Sequence, residues 1–118
     1  MDPLRKQLTD PSLEPLLEVF NIVRQLDREM PAQVLATLFY VATHDDCHKQ
    51  ALEEELEFTA ASGSRNTDWL SDKHRLGKPG LGLITKNVDP SNRRRQTLKL
   101  TKKGHQLMSQ LRGVLYGN

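Results

Sequence analysis

The chain has a single cysteine, Cys47. No internal disulfide can form, which fits a reducing cytoplasm. A structural zinc site wants four ligands at typical spacings, and no second cysteine is there to supply one. No apolar run approaches the ~20 residues of a membrane span. The first ten residues, MDPLRKQLTD, contain no apolar core of the kind a secretory signal needs. Nucleophile-elbow, phosphate-loop and His-Glu-x-x-His motifs are all missing, so no catalytic residue is expected and enzyme activity is not. There is no internal repeat, no heptad run and no low-complexity tail. A chain of 118 residues is long enough for one domain, 1–118, and too short for two.

What is present is a strong asymmetry of charge. Up to Phe58 there are five Lys and Arg against twelve Asp and Glu, a net −7. From Thr59 onward there are twelve against three, a net +9, and the halves add to the overall +2. A positive half steers a surface towards a polyanion, and an acidic half orients the molecule away from it.

Along the chain, residues 1–11 form a polar arm. From Ser12 to Glu29, Leu13, Leu16, Leu17, Phe20, Val23 and Leu26 recur at steps of three and four, the signature of an amphipathic helix with Ser12 as cap and Pro15 in its first turn. A second helix runs from Ala32 to about Thr43 and is apolar nearly all round, so it is expected at the centre. Asp45 or Asp46 can cap a short third helix that ends near Glu57. Glu53, Glu54, Glu55 and Glu57 have the spacing of a solvated helix face. The cluster Thr43-His44-Asp45-Asp46-Cys47-His48 reads as a polar turn between helices, with no metal assigned to it.

The organising stretch is Phe58 to Ser71, FTAASGSRNTDWLS. Thr59 is a good N-cap. The small residues Ala60, Ala61, Ser62, Gly63 and Ser64 let a helix approach another surface closely. They lead into Arg65 and Asn66, which pair bidentately with guanine and adenine respectively. Trp69, Leu70 and Leu76 are the expected anchors to the core. Lys73 to Gly82 is a glycine-rich loop. Leu83 and Ile84 open a strand, Val88 to Asn92 is a turn, and Gln96 to Leu100 alternates as a return strand. Arg93, Arg94 and Arg95 fall near the tip of this hairpin. Thr101 caps a last helix with Leu107, Met108, Leu111, Val114 and Leu115 on one stripe. The expected class is mainly α, a winged helix-turn-helix with a two-stranded β-hairpin wing.

The segment VDPSNRRRQTLKLTKKGHQL, residues 88–107, resembles the wing and following helix of MarR-type transcriptional regulators. Their wing reads Asp-x-Arg-Asp-x-Arg, then an alternating strand, then Leu-Thr-x-x-Gly. Asp89, Arg94, Leu100, Thr101 and Gly104 match, whereas Ser91 and Asn92 replace the usual Arg and Asp. TAASGSRN, residues 59–66, is similar to the family's Ser-x-x-Thr-Val-Ser-Arg, with Thr59 for the capping Ser, Ser64–Arg65 for the Ser-Arg pair and Gly63 in place of an apolar residue. The resemblance covers residues 30–110. It implies a cytoplasmic prokaryotic or phage protein that binds double-stranded DNA as a homodimer, with the helices of 1–29 and 101–118 forming the dimer interface.

The resulting expectation is a sequence-specific, repressor-like regulator without a cofactor, its effector unnamed. Recognition helix 59–72 would enter the major groove, bringing Thr59, Ser62, Ser64, Arg65 and Asn66 near base edges or flanking phosphates. Wing 83–100, with Arg93, Arg94 and Arg95, would reach the minor groove or backbone. Lys73, Arg75, Lys78, Lys86, Lys99, Lys102 and Lys103 would add sequence-independent phosphate attraction. The alternative is a winged-helix protein-interaction module, for instance a small phage protein that binds host machinery, because fold does not fix function.

Overall fold

The computed structural model describes residues 4–72 and 77–117. Its elements are α1 (Glu14–Leu26), α2 (Ala32–Thr43), β1 (Cys47–His48), α3 (Lys49–Leu56), α4 (Ala60–Leu70), β2 (Ile84–Asp89), β3 (Asn92–Leu100) and α5 (Lys102–Tyr116). The expected helices and hairpin are all found. The strand β1 is an addition. It pairs antiparallel with β3, Cys47 opposite Leu98 and His48 opposite Thr97, so the sheet has three strands in the order β1-β3-β2. Two residues carry no readable alternation, which is why the sequence pattern shows only the hairpin. Consequently α3 starts at Lys49 with His48 at its N-cap, not with Asp45 or Asp46.

The core is built from α2 (Val34, Leu38, Val41), α3 (Leu52), α4 (Leu70), the wing base (Leu83, Ile84, Leu98) and α5 (Leu107, Met108, Leu111). The central place expected of α2 is observed. Thr101 closes the start of α5 by accepting from the Gly104 N–H at 3.0 Å. At Gly104 an added Cβ would lie 2.2 Å from the Leu83 carbonyl oxygen, so the helix crosses the wing base only because that side chain is missing.

The apolar faces of the two terminal helices are covered to different extents. In α1 the inward residues are Val19 and Val23, with Ile22 and Leu26 partly buried beside them. Leu13, Leu16, Leu17 and Phe20, on the same amphipathic helix, stay 59, 50, 62 and 45 % exposed. Both sets recur at helical spacing, so periodicity alone cannot tell which one the chain covers itself. The reverse holds for α5. Leu107, Met108 and Leu111 are buried within their own chain, and only Leu115 and Tyr116 of its apolar residues remain exposed. The cap of α1 also differs. Leu13 takes the N-cap position without a side-chain bond, while the Ser12 N–H donates to Asp10.

Between α3 and α4 the chain turns through Glu57 at φ 58°, ψ 42°. This is the left-handed conformation that glycine fills most easily, held here by a glutamate. The Phe58 N–H closes the turn on the Glu53 carbonyl at 2.8 Å. No helix among the described residues is long and apolar enough to cross a membrane.

Candidate nucleic-acid interface

Helix α4 begins as its sequence requires, with the Thr59 hydroxyl accepting from the Ser62 N–H at 3.1 Å. Gly63, Asn66, Thr67 and Leu70 form its buried stripe. The opposite side carries exposed Ala61 and Arg65, flanked by half-buried Ser62 and Ser64. Arg65 Nη2 donates to Ser62 Oγ at 3.0 Å, so the guanidinium lies along the exposed face and not into open solvent.

Asn66 is corrected by this geometry. It is only 7 % exposed, so its side chain does not share the outward face of Arg65. The reason is its phase: it lies three residues after Gly63 and four before Leu70, squarely on the core stripe. Its Nδ2 has no hydrogen-bond partner among the described residues. Thr59 is exposed, but its hydroxyl is engaged as the cap.

Two contacts fix the helix from its far end. The Trp69 indole N–H donates to Asp27 Oδ2 at 2.6 Å, and the Asp68 carboxylate accepts from Lys86 on β2 at 2.6 Å. Lys86 is therefore a strut between α4 and the wing, not the free phosphate cation expected. Lys103 likewise donates to the Leu81 carbonyl at 2.8 Å. Lys78, Lys99 and Lys102 are exposed. Lys73 and Arg75, with His74 and Leu76, lie outside the described residues.

At the tip of the wing, Asp89 is buried. Its Oδ1 accepts from the Ser91 N–H at 2.9 Å and the Ser91 hydroxyl at 2.8 Å, while its Oδ2 lies 3.7 Å from His48 Nδ1 on β1. These bonds, the Ser91 N–H first, hold the Asp89 carboxyl below its ordinary value, with His48 and Arg95 adding to the effect. The Asn92 side chain accepts from the Arg94 N–H at 3.0 Å. Ser91 and Asn92, where the motif has Arg and Asp, thus close the turn with short local bonds. Arg93, Arg94 and Arg95 follow on β3, all exposed, and among the described residues none of them has an ion-pair partner within bonding distance.

The two halves of the interface meet. A cleft of about 330 Å³ lies between α3, the start of α4 and the wing, lined by Lys49, Gln50, Glu53, Ala60, Arg94 and Arg95. Lys49 and Glu53 are functional candidates that sequence reasoning missed. Their four-residue spacing was the available signal, since it allows an ion pair on one helix face. The acidic run is divided accordingly. Glu54, Glu55 and Glu57 are exposed, as a solvated face requires, but Glu53 turns towards α4.

The turn His44 to His48 offers no metal cage. His44 stacks on Tyr40 with ring centroids 4.1 Å apart, whereas His48 faces Asp89. Burial pushes the Cys47 thiol pKa up, and Asp46 and Asp45 push it the same way, so the thiol stays protonated.

Solved structures share this arrangement. The DNA complex of S. aureus MepR superposes with a TM-score of 0.69 at 22% identity, covering 87% of this chain and 77% of that one. The chain has the MarR-type winged-helix fold. MarR itself matches with a TM-score of 0.60 at 20% identity over 89% of this chain and 75% of its own. The transcriptional repressor CouR, bound to a 23-mer DNA duplex, matches at 0.58 and 20% over 93% and 80%. No protein-family model and no curated protein matches the sequence. Within the MarR-type fold, α3 and α4 are the helix-turn-helix and β2–β3 is the wing.

Proposed function

We propose that this chain is a sequence-specific double-stranded DNA-binding transcriptional regulator of the repressor type, acting in the cytoplasm as a homodimer. The observation that carries the reading is the cleft that places the unpaired Arg94 and Arg95 beside Ala60, the first residue of α4. A helix with a small-residue face and an outward Arg65 thereby stands next to a cationic ribbon. In this reading α4 lies in the major groove, and Arg65 reads a base edge or grips a flanking phosphate, with Ser62 and Ser64 beside it. Arg93, Arg94 and Arg95 follow the neighbouring minor groove or backbone, where the potential is most negative. Lys78, Lys99 and Lys102 add sequence-independent attraction. The MepR and CouR structures, each solved on DNA, support the same assignment of elements.

The second copy is supported by α1. Leu13, Leu16, Leu17 and Phe20 form one exposed apolar stripe, and Leu115 and Tyr116 at the end of α5 add to the exposed apolar surface. A two-fold dimer through these terminal helices matches a pseudo-palindromic site.

The test is selection of bound duplexes from a random DNA pool, followed by titration of the recovered and a scrambled duplex across a salt series. Tight, salt-steep binding with preference for the recovered duplex is expected. Salt-independent or undetectable duplex binding, together with a stable protein partner, would favour the protein-interaction module instead.

A further inference from the structure

Lys49 and Glu53 form an ion pair one turn apart on α3, and the side chain of each is only 12 % exposed. The pair fills the space between the two helices of the helix-turn-helix. At Gly63, where the related motif carries an apolar residue, an added Cβ would lie 2.1 Å from Glu53 Oε2 and 2.6 Å from its Cγ. The glutamate thus occupies the volume that a side chain at position 63 would claim. Lys49 Nζ also lies 3.5 Å from the Ala60 carbonyl oxygen, at the first residue of α4.

The same two residues line the cleft that holds Arg94 and Arg95. Two of its three cations are unpaired, and the third is neutralised by a carboxylate. A carboxylate at a phosphate-seeking surface lowers affinity for every duplex alike. That loss falls on the sequence-independent term, which grows with the number of phosphates neutralised. Discrimination, which comes from base contacts, is spared.

We propose that Glu53 limits sequence-independent DNA affinity: it seats α4 through Gly63 and, by pairing with Lys49, withholds that cation from the DNA backbone. The inference rests on the DNA-binding reading above. It gives the acidic residue a role separate from that of its exposed neighbours Glu54, Glu55 and Glu57. The ion pair is not required for packing as such, because covered ion pairs are commonly replaced by apolar residues of similar volume without loss of stability.

The experiment compares wild type, Glu53→Gln and the double variant Lys49→Met/Glu53→Met on the duplex recovered by selection and on its scrambled counterpart, across a salt series. Glu53→Gln keeps the shape under Gly63 and removes the charge. Its affinity for the scrambled duplex should rise roughly fivefold to tenfold at about 0.1 M salt, with a salt slope steeper by about one. Affinity for the recovered duplex should rise by a similar factor, so that the recovered-to-scrambled ratio is kept, and the unfolding midpoint should stay near that of wild type. An unchanged slope, or a gain confined to one of the two duplexes, would overturn the proposal. The double variant loses both charges and should keep the wild-type slope. A slope shallower by about one would mean that Lys49 already grips a phosphate, which overturns it equally. The double variant remains decisive if Glu53→Gln fails to fold. Wild type without salt-dependent duplex binding would sink the DNA-binding reading itself, a result distinct from either outcome for the variants.

Discussion

The indole N–H of Trp69, near the end of α4, donates to the Asp27 carboxylate at 2.6 Å across 42 residues of chain. Asp27 follows the last residue of α1, the helix that presents the exposed apolar stripe. One hydrogen bond therefore joins α4, proposed to enter the major groove, to the helix proposed for the dimer. Trp69→Phe keeps most of the ring's packing and deletes the donor. A bond to a charged group contributes about 1.5–3 kcal/mol when well covered, and this one is only partly so. A loss of about 1–2 kcal/mol in urea unfolding is expected. A stability equal to wild type would show that the bond is dispensable.

Arg65 and Asn66 are neighbours in sequence and should behave in opposite ways. Arg65→Ala should reduce discrimination between recovered and scrambled duplexes by about 1–3 kcal/mol if the contact is bidentate. Asn66→Ala removes a buried group and should leave that ratio unchanged while altering stability. Arg94→Ala should weaken binding to both duplexes and make the salt slope shallower by about one. Titrations of the three variants in parallel check all of this. A changed ratio for Asn66→Ala would contradict its burial.

For the dimer, Leu17→Glu or Phe20→Glu places a charge in the exposed stripe of α1. Each should give a folded monomer by sedimentation, with duplex affinity much reduced. Leu111→Glu places the same charge in the core and should unfold the chain. Wild type that sediments as a monomer at tens of micromolar would remove the dimer from the mechanism.

Glu57 adopts φ 58°, in the left-handed region that costs a non-glycine residue roughly 1 kcal/mol or more. Glycine is the usual occupant of such a helix-ending position. Glu57→Gly should stabilise the protein by about 0.5–1 kcal/mol, the gain being reduced by the entropy glycine adds to the unfolded chain. Thermal unfolding measures it directly, and a lower midpoint would count against the strain argument.

The wing tip should be sensitive to acid. The folded Asp89 carboxyl titrates below its ordinary 3.8, held down by the Ser91 N–H and hydroxyl and then by His48 and Arg95. Its contribution to stability is thus complete above that ordinary value and is lost as pH falls through the lower folded value. An NMR titration should show the Ser91 amide signal moving with the Asp89 carboxyl below pH 3.8. In Asp89→Asn this shift should vanish. A carboxyl that titrates above its ordinary value would refute the assigned bonds.

Most of the architecture could be read from local signals. Thr59 and Thr101 cap α4 and α5 as their side chains dictate, and alternation from Gln96 to Leu100 marks the return strand that Leu98 pins to the core. The outward place of Arg65 and the exposed arginines of β3 also follow from phase and composition. These properties depend on residues within a few positions of each other, so the amino-acid sequence by itself determined them.

Only the tertiary structure decided which of two equivalent apolar stripes the chain buries. Val19 and Val23 go inward while Leu16, Leu17 and Phe20 stay out, because the choice belongs to α5 and the rest of the core and not to α1. The burial of Asn66 depends on where α4 is set against its neighbours. The two-residue strand β1 exists because β3 passes beside it, and the Asp89–His48 approach follows from that pairing. Glu53 is the sharpest case. Four glutamates between 53 and 57 have similar local chemistry, and one of them turns inward because Gly63, ten residues further along the chain, leaves a space of the right size. Helix periodicity acts within a segment; the filling of space between segments is settled only when they meet.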